Sequence, residues 1–393
     1  MKHHIFLASP HMSEEGFEQE YIQEAFESNW IASLGTNVTE FEKEMEQKLG
    51  AGKAVALSSG TAAIHMALKA IGISQGDLVF CQSLTFSASA NPITYEKAVP
   101  VFIDSESDTW NMDPKALKEA LEAYERVGKK PKAVIVVHLY GICAKIEEIT
   151  EICRKHKVPL IEDAAESLGT IYRGRYTGTF GDYGIISFNG NKIITTSGGG
   201  MLLVNTEDAV EKAEKVLYWA TQAREPARWY QHTEIGYNYR MSNVVAGIGR
   251  GQLKVLDRRI EKKRAIFEFY QRRLAELSGL SFMPMPENAF CNCWLSVIQL
   301  EKDCPVKPLD IMKSLEDEDV ESRPVWKPMH LQPVFAGCEF LSREKELFIT
   351  DKETGADNSV SGQLFERGVC LPSDTKMSEE DQEQICRVLE KLW

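Results

Sequence analysis

Two side chains have the type and setting for chemistry: a lysine on a loop after an apolar strand, and an acid at the end of another strand. The lysine is Lys192. It follows Gly184-Ile185-Ile186-Ser187-Phe188 and an Asn189-Gly190 turn, and it precedes a stretch ending in Gly198-Gly199-Gly200 that leads into Met201-Leu202-Leu203-Val204. The acid is Asp163, in Ile161-Glu162-Asp163-Ala164-Ala165-Glu166. A loop lysine can condense with an aldehyde, and a strand-end acid can pair with a pyridinium nitrogen. These are the two requirements of pyridoxal phosphate (PLP). Each has a plainer reading alone, the lysine as a solvated charge and the glycines as a loop. A P-loop does not fit, because Gly190-Asn191-Lys192 lacks the adjacent Gly-Lys and Ile193 stands where Ser or Thr would bind magnesium.

Further residues suit the same cofactor. Ser59-Gly60-Thr61 follows an apolar strand and opens a helix, where backbone N–H groups and the hydroxyls of Ser59 and Thr61 can hold a phosphate. An ordinary helix cap is the alternative. Ser187, five residues before Lys192, can reach the same phosphate. Phe86 lies on a loop after a strand, where its ring can stack on a flat cofactor or pack in the core.

The elements that must position these residues alternate. Apolar runs at 54–57, 78–80, 101–103, 133–137 and 159–161 read as strands. Helical patterns fall between them at 62–71, about 87–95, from Pro114 and at 146–156. This βαβ alternation predicts an α/β fold, a mainly parallel sheet with helices on both faces and ligands at the carboxyl ends of the strands. Two helices precede it, one capped by Ser13 and running to about Ser28, the other carrying Phe41, Met45 and Leu49 on one face. After Asn205, helical patterns at 206–221 and 243–277 precede a mixed region of short strands and helices. The expected division is a large domain over 1–253 and a smaller α/β domain over 254–393.

Composition narrows the function. The formal net charge of -13 disfavours a nucleic-acid partner. The N-terminal apolar stretch is too short for a signal peptide, and the run from Ala133 to Ala144 too short for a membrane span. A cytoplasmic protein is expected. Nine cysteines without CxxC spacing suit reduced thiols, and no metal site is expected.

Taken together, Ser59-Gly60-Thr61-Ala62-Ala63, Glu162-Asp163-Ala164-Ala165-Glu166, Ser187-Phe188-Asn189-Gly190-Asn191-Lys192, Asn29 to Gly35 and Gly236-Tyr237-Asn238-Tyr239-Arg240 make the chain similar, over nearly its whole length, to the DegT/StrS-type sugar-nucleotide aminotransferases of the fold-type I PLP enzymes. It most resembles the branch that aminates C4 of UDP-4-keto-6-deoxy-N-acetylglucosamine in bacillosamine-type glycan and exopolysaccharide pathways. The resemblance implies that Lys192 anchors PLP and shuttles the proton, and that Asp163 keeps the ring nitrogen protonated. Glu166 would lie near the ring and Phe86 would stack on it. Gly60, Thr61 and Ser187 would bind the phosphate, joined by Asn238 from the other subunit of a homodimer. Trp30, Arg323, Trp326, Lys327 and His330 would face the nucleotide sugar, and glutamate would be the amino donor. Ser197-Gly198-Gly199-Gly200 departs from the family's Gly-Glu-Gly-Gly.

Three other readings are weaker. A PLP-dependent sugar dehydratase of this fold would carry histidine in place of Lys192. A sugar-binding regulator would need a DNA-binding segment, and no such segment is visible. A nicotinamide oxidoreductase would need GxGxxG after the first strand, whereas Gly247-Ile248-Gly249-Arg250-Gly251 lies within a helix and has the wrong spacing.

Overall fold

The structure is a computed structural model that describes residues 3–343 and 357–393. Eight strands form the central sheet, in the order Lys53–Leu57, Gly200–Val204, Tyr183–Ser187, Leu160–Asp163, Ala133–Val137, Leu78–Gln82, Val99–Ile103 and Phe340–Leu341. All pairs are parallel except the two made by Gly200–Val204, which runs antiparallel to both neighbours. Period-2 alternation sends Ala54 and Ala56, Leu160, Ile186, Met201 and Leu203 to one face. Val55 and Leu57, Ile161, Ile185, Leu202 and Val204 go to the other. Both faces are covered, so the strands read as continuous apolar runs rather than alternating ones. Thr36–Leu49, Pro114–Arg126 and Ile146–His156 pack on the first face, Gly60–Ile71 and Ala209–Ala220 on the second. This is the expected α/β architecture, a mainly parallel sheet with helices on both faces.

A four-stranded antiparallel sheet, Leu280–Phe282, Ser296–Leu300, Gly368–Leu371 and Arg323–Pro324, makes a second core with Leu256–Arg273, Pro308–Asp317 and Glu379–Glu390. Several segments cross the 253/254 division, among them Ala289–Phe290, which pairs with Ile171–Tyr172. Ile5 bridges Val320 and is buried in the second core, while Phe340–Leu341 extends the large sheet beside Val99–Ile103. The helix expected over 243–277 is two helices, Asn243–Leu253 and Leu256–Arg273. Neither Pro nor Gly causes the break. Val255 and Leu256 are adjacent and both buried, and Val255 leaves helical geometry at φ -108°, ψ 4°. Tertiary packing overrides local periodicity there.

Candidate active site

The expected cofactor residues converge at the carboxyl ends of the parallel strands. A cavity of about 390 Å³ is lined by Gly60, Thr61, Phe86, Asp163, Glu166, Ser187 and Lys192 together with Trp294 and Trp326. The volume suits a small cofactor. Lys192 lies on the connection between two antiparallel neighbours, Tyr183–Ser187 and Gly200–Val204, whose first closed pair is Ser187 with Gly200. Its Nζ is 3.5 Å from Glu166 Oε1 and 4.0 Å from the centre of the Trp294 ring. A carboxylate and an aromatic face thus share one ammonium.

Asp163 ends its strand and is buried. Ser89 Oγ donates to its Oδ2 at 2.6 Å, and the Ala165 N–H to its Oδ1 at 3.2 Å. Ser89 Oγ also bonds Thr85 Oγ1 at 2.7 Å, which joins the Phe86 loop to the acid. The neighbouring Glu162 points to the other face of the sheet, where His138 Nε2 and the Gly178 N–H meet it at 2.9 Å each. Alternation along the strand thus separates a structural acid from a site acid. Glu166 accepts the Tyr140 N–H at 2.7 Å. Burial pushes its carboxyl above the usual range, and the Lys192 charge and the Tyr140 N–H pull against that rise.

The phosphate turn is shaped by close approach. Ser59 Oγ accepts the Ala62 N–H at 3.0 Å, so this hydroxyl caps the helix Gly60–Ile71. Gly60, Thr61 and Ser187 line the cavity at the positive end of that helix. A Cβ on Gly200 would sit 2.2 Å from the Ser59 carbonyl carbon, so only glycine lets the lysine hairpin approach the turn. These residues fit PLP: a helix N-terminus for phosphate, an acid at the strand end for the ring nitrogen, and a lysine amine in the same cavity. Bound PLP supplies an aldehyde and an electron sink. With that group bound, Lys192 Nζ would be the group to hold and move the proton.

A second cavity, of about 520 Å³, shares Thr85, Phe86, Asn191, Trp294 and Trp326 with the first. Leu7, Glu321, Arg323 and Lys327 complete much of its wall. Phe86 is 56% exposed and meets Trp326 edge to face at 4.7 Å, so it is a cavity wall and not core.

His330 departs from expectation. It lines neither cavity, because its ring is turned inward, bonded to Ser83 and Asp357 and stacked on Phe340. Trp30 and Asn238 also line neither cavity. Both are exposed, Trp30 with its carbonyl accepting Asn243 Nδ2 and Asn238 in an isolated bridge to Thr221. Trp294, Tyr140 and Ser89 were not anticipated. Trp294 donates from Nε1 to the Asn191 carbonyl at 2.8 Å, and its own carbonyl accepts Lys263 Nζ at 2.8 Å. No local pattern marks it, since it reaches the site from the loop that leads into the strand Ser296–Leu300 of the smaller sheet.

Comparison with known proteins agrees with this geometry. Residues 12–390 match the model of the DegT/DnrJ/EryC1/StrS aminotransferase family. The chain belongs to that family. It is a PLP-dependent sugar aminotransferase. It is 54% identical to EpsN of Bacillus subtilis (strain 168) over 99% of this chain and 96% of that one. It is 34% identical to the GDP-perosamine synthase of Caulobacter vibrioides, over 99% and 98%. It is 30% identical to the UDP-4-amino-4,6-dideoxy-N-acetyl-beta-L-altrosamine transaminase of Campylobacter jejuni, over 92% of each. A crystal structure of a DegT DnrJ EryC1 StrS aminotransferase from Brucella abortus superposes with a TM-score of 0.84 at 28% identity, covering 96% of this chain and 95% of that one. Among the described residues, no helix is long and apolar enough to cross a membrane.

Proposed function

We propose that this aminotransferase moves an amino group from glutamate to C4 of a UDP-linked 4-keto-6-deoxy-N-acetylhexosamine, in the cytoplasm, for glycan or exopolysaccharide assembly. The observation that carries the reading is the pair of confluent cavities. One holds Lys192 and Asp163, and the other presents Arg323 and Lys327 behind the shared aromatic walls Phe86, Trp294 and Trp326. Two cations suit a diphosphate, and aromatic walls suit a sugar ring delivered to the amine. Arg323 is open to such a role: its side chain is 60% exposed, it bonds the adjacent Ser322 carbonyl at 2.7 Å, and its ion pair with Glu321 is long at 3.9 Å.

The working unit in this reading is a homodimer with shared sites. Support comes from the segment carrying Asn238, where Trp229, Tyr230 and Ile235 are all exposed, and from the exposed Trp30, Ile31 and Leu34. Apolar side chains grouped in this way suit burial against a second copy, which would bring Asn238 to its neighbour's phosphate turn.

A GDP-linked acceptor is the second reading, favoured by the GDP-perosamine synthase relative. The test is to supply UDP- and GDP-linked 4-keto sugars with glutamate and to assign the product by NMR. Amination at C4 of the UDP sugar supports the first reading. Amination at C3 refutes it, and preference for the GDP sugar moves the assignment to the second.

A further inference from the structure

Ser83, His330 and Asp357 form a hydrogen-bonded row beneath the wall between the two cavities. Ser83 Oγ meets His330 Nδ1 at 2.6 Å, and His330 Nε2 meets Asp357 Oδ2 at 2.7 Å. Asp357 Oδ1 accepts the Ser359 N–H at 2.9 Å, and the Phe340 ring lies flat on the imidazole at 3.7 Å. The row resembles a hydrolase triad in composition only. Its serine bonds Nδ1 and its acid Nε2, the reverse of the catalytic arrangement, and Ser83 is fully buried.

Its position suggests another task. Every side-chain and backbone bond recorded between Ser83 and this segment ties two loops together. The Met329 N–H donates to the Ser83 carbonyl at 2.8 Å and the His330 N–H to Ser83 Oγ at 3.3 Å. Three residues after Ser83 stands Phe86, and four before His330 stands Trp326, the two rings that meet between the cavities. The Phe86 loop has its own second anchor, through Thr85 and Ser89 to Asp163. Trp326 is held otherwise through its N–H, which donates to Tyr140 Oη at 3.0 Å.

We propose that Ser83, His330 and Asp357 are positioning residues, a lock that sets Trp326 against Phe86 for the sugar acceptor and takes no part in proton transfer at Lys192. This rests on the reading that the second cavity receives the nucleotide sugar. Because Thr85–Ser89–Asp163 anchors the cofactor side independently, loosening the lock disturbs acceptor binding and spares the reaction with the amino donor.

The test compares Ser83→Ala, Asp357→Ala and Asp357→Asn in the full-length holoenzyme. Ser83→Ala and Asp357→Ala should raise the acceptor KM about tenfold, the size expected when one buried hydrogen-bonding partner is removed. The donor half-reaction, followed as loss of the visible cofactor band on adding glutamate, should stay within about twofold. Asp357→Asn keeps an acceptor for Nε2 but turns its NH2 toward the Ser359 N–H, so it should raise the acceptor KM less than Asp357→Ala does. A separate measurement needs no acceptor. Hydrogen exchange in Ser83→Ala should accelerate at the Met329 and His330 amides and leave the Lys192 loop unchanged. Equal losses in both half-reactions, or unchanged exchange at those amides, would overturn the lock. If the wild-type enzyme aminates no nucleotide sugar, the functional reading falls, and the exchange result still decides the lock.

Discussion

Lys192 Nζ stands 3.5 Å from Glu166 Oε1, in a pocket where both side chains are nearly shielded from water. Burial raises the Glu166 carboxyl and the Lys192 charge restrains that rise. As pH falls, Glu166 therefore takes up its proton earlier than an exposed glutamate would, and the pair is lost on the acid side. Glu166→Gln keeps an oxygen for the Tyr140 N–H but cannot titrate. The acid limb of the wild-type pH–rate profile should be missing from the variant. An identical acid limb in both proteins would assign that limb to another group.

Lys192→Ala should fold normally and still bind PLP through the phosphate turn and Asp163. Multiple turnover should fall by about two to four orders of magnitude or more, the loss expected for a positioned proton-transfer group. Lys192→Arg should not rescue it, because a guanidinium stays protonated. Borohydride reduction of the wild-type holoenzyme with peptide mapping checks the anchor directly. A reduced adduct on another lysine would refute the assignment.

Two glycines at the phosphate turn should respond differently to alanine. At Gly60 the new Cβ would lie 3.2 Å from Ser187 Cβ, a contact that a small shift relieves. At Gly200 it would lie 2.2 Å from the Ser59 carbonyl carbon and 2.3 Å from the Gly60 nitrogen, which are backbone atoms. Gly200→Ala should cost about 1–3 kcal/mol, as overpacking does, and weaken PLP binding. Gly60→Ala should lose much less on both counts. Urea unfolding and PLP titration of the two variants provide the comparison.

Lys263 is buried beneath Trp294, and desolvation brings its ammonium down to about 7 from an ordinary 10.5, against the opposing pull of Asp374. Below pH 7 the group is charged whether the chain is folded or not, and the folded state carries the full burial penalty. Between pH 7 and 10.5 the folded state sheds a proton that the unfolded chain keeps, so this group makes stability rise with pH. Lys263→Met removes that slope. Unfolding free energies across the window should rise less steeply for the variant, and parallel curves would refute the prediction.

The residues visible in the sequence were those whose role is set by neighbours along the chain. Asp163 ends an apolar strand, Lys192 follows a turn, and Gly60 opens a helix, so local pattern placed all three in one cavity. Trp294 depends on a distant sheet being brought against the lysine loop, which no local pattern records. His330 sits only a few residues from Trp326, yet its ring turns inward because Ser83 and Asp357, far away in sequence, satisfy both nitrogens. The long helix was misjudged for a similar reason, since Val255 and Leu256 continue an apolar rhythm while packing breaks it.

Gly200–Val204 is the one strand of the large sheet that runs against its neighbours, and Gly200 pairs with both Leu57 and Ser187. Among the described residues, the first strand of the sheet has no other partner in it. On the ribosome, Lys53–Leu57 therefore emerges long before the strand that must seat beside it. At about 5–20 residues per second the wait is on the order of ten seconds. During that interval the backbone edge of Lys53–Leu57 lacks its sheet partner, and the phosphate turn has no lysine hairpin to close it. Lys192 can thus face the phosphate turn only after the synthesis of Val204, and Trp294 and Trp326 complete the cavity wall later still.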